Sequence, residues 1–227
     1  MCGIYAKFRK AIKASEIQLT PSLKRRGPDA SEILQVRNGV LGFTRLAIND
    51  CTESGMQPFQ EGEISLVCNG EIYNYEALAI KYNITCKSKS DCEVILHLYK
   101  KIGFVETIKE LYGVFALILV DGDEIYVSRD RIGVRPLYYA SNYESEITFS
   151  STVEGLTRPM HWPPGRSGNI KNFRPNILYT DDYSLPFFRK EIDYKQIRDT
   201  LIEAVKTRLV SDRPIACLLS GGLDSSI

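Results

Sequence analysis

The 227-residue sequence has only two histidines, His97 and His161, and its cysteines at positions 2, 51, 68, 86, 92 and 217 form no Cys-x-x-Cys pair. No zinc-type spacing can therefore be assembled from it. It has no apolar run near the ~20 residues that cross a bilayer and no signal-peptide core at its start, so a soluble, cytoplasmic protein without a membrane partner is expected. It also has no excess charge of either sign. Lys and Arg number 29 against 28 Asp and Glu, a net charge of +1, which argues against a nucleic-acid surface. With 44% hydrophobic and 25% charged residues the composition is that of a globular protein with a substantial core. In a reducing compartment the five cysteines other than Cys2 read as small, largely buried apolar residues, and no disulfide is expected.

What the sequence does have begins at Met1-Cys2-Gly3. If Met1 is removed, Cys2 carries a thiol and a free α-amine on one residue. Their ordinary pKa values, about 8.5 and 7.7 to 8.0, let the amine take the thiol proton near neutral pH. The plainer alternative is an ordinary second residue at the start of a strand. Downstream, Gly27-Pro28-Asp29 is turn chemistry, and the arginines before it read equally well as a solvated basic turn. Residues 39–48 read as a strand in which Arg45 sits among apolar neighbours, and a buried guanidinium asks for an anionic partner.

Residues 64–68 form a β-branched run that ends at Asn69-Gly70. Helix-like residues follow, so a strand-to-helix corner with exposed backbone donors is expected there, with a type I′ hairpin as the alternative. Ser90-Asp91-Cys92-Glu93 matches a capping box, which puts Asp91 in the first turn of a helix, either as a functional carboxylate or as a complement to the helix dipole. The run 113–120 is too continuously apolar for a half-exposed strand and should be central. Asp121-Gly122-Asp123 then turns into a hairpin partner, and short strands are expected at 136–140 and 146–150. Prolines at 159, 163, 164 and 175 suggest an irregular surface segment closing a first domain.

From about residue 194, apolar residues recur at helical spacing over some four turns. A short buried strand at 214–219 is expected next, leading into Ser220-Gly221-Gly222-Leu223-Asp224-Ser225-Ser226. Strand, glycine-rich loop and helix start aim backbone N–H groups at phosphate, although no lysine follows the glycines as in a Walker A loop. The first strand of a parallel unit cannot bury itself alone, so the sequence reads as cut off within a second domain.

Taken together, these blocks resemble the glutamine-hydrolysing asparagine synthetases. The similarity is carried in order by Met1-Cys2-Gly3-Ile4, Arg26-Gly27-Pro28-Asp29, Arg45-Leu46-Ala47-Ile48, Asn69-Gly70-Glu71-Ile72-Tyr73-Asn74-Tyr75, Ser90-Asp91-Cys92-Glu93, Gly113-Val114-Phe115-Ala116, the run from Arg129 to Tyr138, and Ser220 to Ser226. The resemblance implies an α+β fold, a four-layer αββα N-terminal nucleophile hydrolase sandwich over residues 1–190, followed at 191–227 by the start of an α/β ATP-pyrophosphatase domain. It implies Cys2, Asn69 and Gly70 as catalytic residues, and Arg45, Leu46, Ile48, Glu71 and Asp91 as the glutamine site. For the second half it implies ATP held by Ser220, Gly221, Gly222, Asp224, Ser225 and Ser226, with Mg²⁺ at Asp224 and aspartate as ammonia acceptor. The glutaminase half is expected to need no cofactor, and a homodimer is compatible with the family. Arg25 stands where the family usually has histidine, and the run 152–156 departs from its usual acidic and lysine residues. An amidotransferase with a different acceptor and a non-catalytic glutamine-binding regulator are the alternative readings.

Overall fold

The computed structural model describes residues 1–142, 145–181 and 193–223. In chain order its strands are β1 (Gly3–Arg9), β2 (Ala30–Val36), β3 (Gly39–Arg45), β4 (Phe59–Glu61), β5 (Ile64–Ile72), β6 (Gly113–Asp121), β7 (Glu124–Arg129), β8 (Tyr138–Ser141), β9 (Glu146–Ser150), β10 (Met160–His161), β11 (Arg166–Lys171) and β12 (Arg174–Thr180). The helices are α1 (Pro21–Arg26), α2 (Tyr75–Lys81), α3 (Glu93–Ile102), α4 (Phe104–Glu110) and α5 (Tyr194–Lys206). The strands form two six-stranded sheets, ordered β10-β8-β9-β1-β3-β2 and β12-β11-β7-β6-β5-β4. Every strand pairing within them is antiparallel.

The continuously apolar run forms β6, and the period of two explains why it can be apolar throughout. Ala116, Ile118 and Val120 point into the core between the sheets with Ile4, Phe8, Phe149 and Trp162. Phe115, Leu117 and Leu119 point the other way, onto α3 and α4 through Val94, Ile95, Leu98, Phe104 and Ile108. The short α1 covers the outer side of the first sheet, where Leu23 is buried and its carbonyl accepts from Thr44 Oγ1 at 2.8 Å. The layers are thus helix, sheet, sheet, helix, the αββα order expected.

Several local expectations are corrected. Asn69 and Gly70 do not sit at a strand-to-helix corner. They lie inside β5, opposite Ala116 and Phe115, and the corner comes later at Tyr73-Asn74. The long apolar ladder with β6 carries the strand through the Asn-Gly pair. The capping box is also displaced. Asp91 precedes α3, and the Glu93 carboxylate accepts from the Lys87 and Ser88 N–H groups at 2.9 and 2.7 Å rather than from Ser90. The proline-rich segment is not irregular, because β11 and β12 extend the second sheet and Trp162 is fully buried. Its prolines fall at strand starts and turns, with Pro175 on the edge strand β12, where a missing N–H costs least.

Residues 214–219 form no strand and are exposed, since no neighbouring strand pairs with them among the described residues. Helix α5 forms as predicted, but none of its residues is buried. The cysteines divide differently from expectation as well: Cys68 and Cys92 are buried, Cys86 is half-buried, and Cys51 and Cys217 are exposed. All six are free thiols.

Candidate active site

Strand β1 lies in the middle of the first sheet and β5 faces it across the core, so the N-terminal end of β1 opens beside residues 68–72. One cavity there is lined by Cys2, Arg45, Leu46, Ile48, Asn69, Gly70, Glu71 and Asp91. The sequence stretches at 2, 45–48, 69–71 and 91 are thereby brought to one place. The loop residues 220–222 lie elsewhere, exposed, and Asp224, Ser225 and Ser226 fall outside the described residues.

The Cys2 thiol is held by the end of β3. Leu46 N–H donates to Sγ at 3.4 Å, and the Leu46 carbonyl is 3.6 Å from it. Burial pushes the thiol pKa up, opposed by the Leu46 hydrogen bond and the nearby terminal amine. Burial also lowers the pKa of the terminal amine, with help from the charges of Arg26 and Arg135. Both shifts favour the uncharged forms, a protonated thiol beside a neutral amine whose lone pair is free, and in this chain that amine is the one on Met1.

Arg26, read from the sequence as part of a solvated turn, belongs to this site. Its Nε donates to the Cys2 carbonyl at 2.9 Å. Asn69 is buried, and with its amide turned so that nitrogen donates to the Cys2 carbonyl (3.2 Å), its oxygen accepts from Arg26 Nη2 (3.2 Å). One amide N–H of Asn69 remains for another acceptor. The position of Arg26 follows from the turn after it. Gly27 lies flat against the Thr44 backbone with no room for a Cβ, and Asp29 stitches the turn to the end of β3, accepting from Ala47 N–H at 2.7 Å. The signal was the Arg26-Gly27-Pro28-Asp29 block itself.

Gly70 is distinguished by its register. Phe115 exchanges backbone hydrogen bonds with the Asp130 carboxylate and N–H, so its partner Gly70 turns its own N–H away from β6. The N–H groups two residues away on the same edge are both taken, Cys68 by Gln57 Oε1 at 2.7 Å and Ile72 by Asp91 Oδ2 at 2.7 Å. Between them no acceptor meets the Gly70 N–H among the described residues. It is a fixed backbone donor pointing into the cavity.

Arg45 is buried, but the anionic partner predicted for it is absent among the described residues. Backbone carbonyls hold the guanidinium instead, those of Thr52 at 2.6 Å, Asn49 at 3.5 Å and Asp50. Carbonyls satisfy its donors without cancelling its charge, so the cavity keeps a net positive wall. The supporting loop is itself fixed by Asp50, whose carboxylate accepts from Lys89 N–H at 2.8 Å and Ser54 Oγ at 3.0 Å as well as from Thr52. The C-terminal segment reaches this loop too: Asp50 N–H donates to the Asp212 carboxylate at 2.7 Å, and Arg213 Nε donates to the Ala47 carbonyl at 3.1 Å.

Asp91 supplies the opposite charge. It is 6% exposed, takes Ile72 N–H on Oδ2 and Asn49 Nδ2 (3.3 Å) on Oδ1, and burial pushes its carboxyl pKa up. Glu71 lies at the rim in an ion pair with Arg135 at 3.2 Å. Asn49, Asp50 and Gln57 were not picked out from the sequence, and Arg135 only within the run from Arg129 to Tyr138 with no role given to it, because each acts through loops whose approach only the fold defines. The cavity thus has the Cys2 thiol near the chain's terminal amine, carried here by Met1, two polar donors at Asn69 and Gly70, and a cation and an anion on its walls. Such an array suits nucleophilic attack on a carbonyl of a small zwitterion.

Comparisons with known proteins show what the chain as a whole is similar to. Residues 1–171 match the family model described as glutamine amidotransferase domain, and residues 196–227 match the one described as asparagine synthase. A probable glutamine-hydrolysing asparagine synthetase of Acanthamoeba polyphaga mimivirus is 37% identical, the alignment covering 100% of this chain and 48% of the relative. The glutamine-hydrolysing asparagine synthetase of Mesocricetus auratus is 35% identical, covering 100% and 47%. The chain therefore spans about half the length of these curated relatives. Among solved structures, the allosteric regulatory enzyme of purine biosynthesis superposes with a TM-score of 0.66 at 18% identity over 78% of this chain and 49% of that one, a likeness of fold. With the family model covering most of the sequence and the fold agreeing, the chain belongs to the glutamine amidotransferase domain family.

Proposed function

We propose that the N-terminal part of this chain hydrolyses glutamine to glutamate and ammonia, and that the ammonia serves ATP-dependent amidation of aspartate in the whole protein. The observation that carries the first half is one cavity lined together by Cys2, Asn69, Gly70, Arg45 and Asp91. Arg45 takes the α-carboxylate of glutamine and Asp91, assisted by Glu71, takes its α-ammonium. Leu46 and Ile48 form the wall between them. The side-chain amide then lies on Cys2.

With Met1 removed, the α-amine of Cys2 accepts the thiol proton as Sγ attacks the amide carbon. The carbonyl oxygen becomes an oxyanion facing Gly70 N–H and Asn69 Nδ2. The amine returns the proton to the departing nitrogen, the C–N bond breaks, and ammonia leaves a γ-glutamyl thioester. Water adds to that carbon, the C–S bond breaks, and glutamate and the free thiol are released. While Met1 remains, the basic amine lies about 3.8 Å further along the chain and Cys2 offers only an amide nitrogen.

For the second half, the support is the resemblance of residues 196–227 to asparagine synthases. The boundary near residue 190 and the ATP-binding role of Ser220, Gly221, Gly222, Asp224, Ser225 and Ser226, with Mg²⁺ at Asp224, stand on that resemblance. The described loop residues, Ser220, Gly221 and Gly222, are exposed. The test is glutamate release by the wild-type chain and by Cys2→Ala. Turnover should vanish in the variant, and turnover equal to wild type would refute the nucleophile assignment.

A further inference from the structure

A second group of reactive side chains lies outside the cavity, against the far side of the loop that carries Asp91. Cys86 comes from the connection between α2 and α3, and Glu93 and His97 occupy successive turns of α3 on one face. One ligand atom from each, the Cys86 sulfur, a Glu93 oxygen and a His97 nitrogen, lie within 4.8 Å of one another. Glu93 is buried, Cys86 and His97 are half-buried, and His97 Nε2 is 3.3 Å from Glu93 Oε1. No sequence spacing of the familiar zinc type revealed this group, because one ligand comes from a loop and two from a helix.

The surroundings favour a metal over a simple ion pair. Glu61 on β4 places Oε2 3.3 Å from His97 Nδ1, on the side of the ring away from Glu93. That oxygen is buried and makes no hydrogen bond, while Lys100 holds the other oxygen of the same carboxylate. A histidine that ligates through one nitrogen commonly donates its other N–H to a carboxylate, which fixes its tautomer. Glu93 is steadied by the Lys87 and Ser88 N–H groups, which leaves an Oε1 lone pair toward His97.

We infer that Cys86, Glu93 and His97 form a binding site for a thiophilic divalent transition metal such as Zn²⁺, with Glu61 as the outer carboxylate that orients His97. Thiolate, carboxylate and imidazole offer sulfur, oxygen and nitrogen, a donor set suited to Zn²⁺, and water completes the tetrahedron. The two negative ligands balance the +2 charge, and Cys86 binds after its proton has left to solvent. The ion would tie β4 and the 86–93 connection to α3.

Co²⁺ and Zn²⁺ titration of the metal-free full chain tests this. The chain should bind one Co²⁺ with a thiolate-to-cobalt charge-transfer band and tetrahedral visible absorption, both displaced by Zn²⁺. Cys86→Ser should lose the charge-transfer band, and His97→Ala should lose tight binding, with circular dichroism confirming that each folds. Glu61→Gln should keep the band but weaken binding by about 10- to 100-fold. A band that survives in Cys86→Ser would place the metal at Cys2 or at the exposed Cys51 or Cys217 and overturn the site. Absence of any Co²⁺ binding by the folded wild-type chain would also overturn it.

Discussion

Substituting Gly70 by alanine tests the oxyanion assignment through backbone geometry alone. A Cβ at Gly70 would lie 2.7 Å from both Phe115 Cβ and the Val114 carbonyl oxygen, and 2.9 Å from Phe115 Cα. Ordinary contact begins at 3.4 Å, so the two strands must separate by about 3.4 − 2.7 = 0.7 Å at this point. Backbone and Cβ atoms cannot rotate out of the way as a flexible side chain would. The Gly70 N–H moves with the strand, while Asn69, Arg45 and Asp91 keep their own anchors. Losing one oxyanion donor costs about 2.7 to 4 kcal/mol, or 10²- to 10³-fold in kcat. Overpacking of this kind destabilises by about 1 to 3 kcal/mol, so thermal unfolding should confirm that the variant is folded at the assay temperature. Steady-state glutaminase kinetics should show kcat falling by two orders of magnitude or more with KM changed little. A folded variant with kcat within tenfold of wild type would refute the reasoning.

Three other substitutions probe the remaining walls. Asp91→Asn removes the buried charge proposed for the substrate ammonium and should raise the glutamine KM at least tenfold; an unchanged KM would remove Asp91 from the binding site. Arg26→Ala removes one of the two donors to the Cys2 carbonyl and the donor to the Asn69 amide oxygen at once and, because a misplacement near 1 Å can cost about 10²-fold, should lower kcat far more than it raises KM. For Asp50, burial acts to raise the carboxyl pKa, but hydrogen bonds from Thr52, Ser54 and Lys89 outweigh it and hold the pKa at about 2 against an ordinary 3.8. A depressed carboxylate stabilises the fold above its unfolded value and loses that contribution as pH falls through the folded one. The melting temperature of Asp50→Asn should therefore lie below wild type near neutral pH, and the gap should close between about pH 4 and pH 2; a gap independent of pH would contradict the role given to that carboxylate.

The layered fold was legible because β6 and its neighbours announce themselves by apolar runs and turn residues, which are local signals. The site was legible as a set of motifs but not as a geometry. Asn69-Gly70 reads locally as a turn, and only the ladder with β6, which has no local signature, keeps it in β5. The register that frees the Gly70 N–H depends on Asp130 capping Phe115, sixty residues further along the sequence. Arg45 asks for an anion in sequence and receives carbonyls from a loop whose path is set by Asp50 and Asp212. Arg26 was passed over because a basic residue before a turn is usually solvated, and its contact with Cys2 exists only once Gly27 is pressed against Thr44. The buried strand expected at 214–219 fails for the converse reason, since a strand needs a partner that the described residues do not provide.

The most direct measurement is intact-mass and peptide mass spectrometry of the chain quenched during glutamine turnover. A γ-glutamyl adduct should appear on the sulfur of an N-terminal Cys2, only in molecules that lack Met1. An adduct on another cysteine, or steady hydrolysis by a chain that still carries Met1, would contradict the pairing of thiol and α-amine on which the mechanism rests.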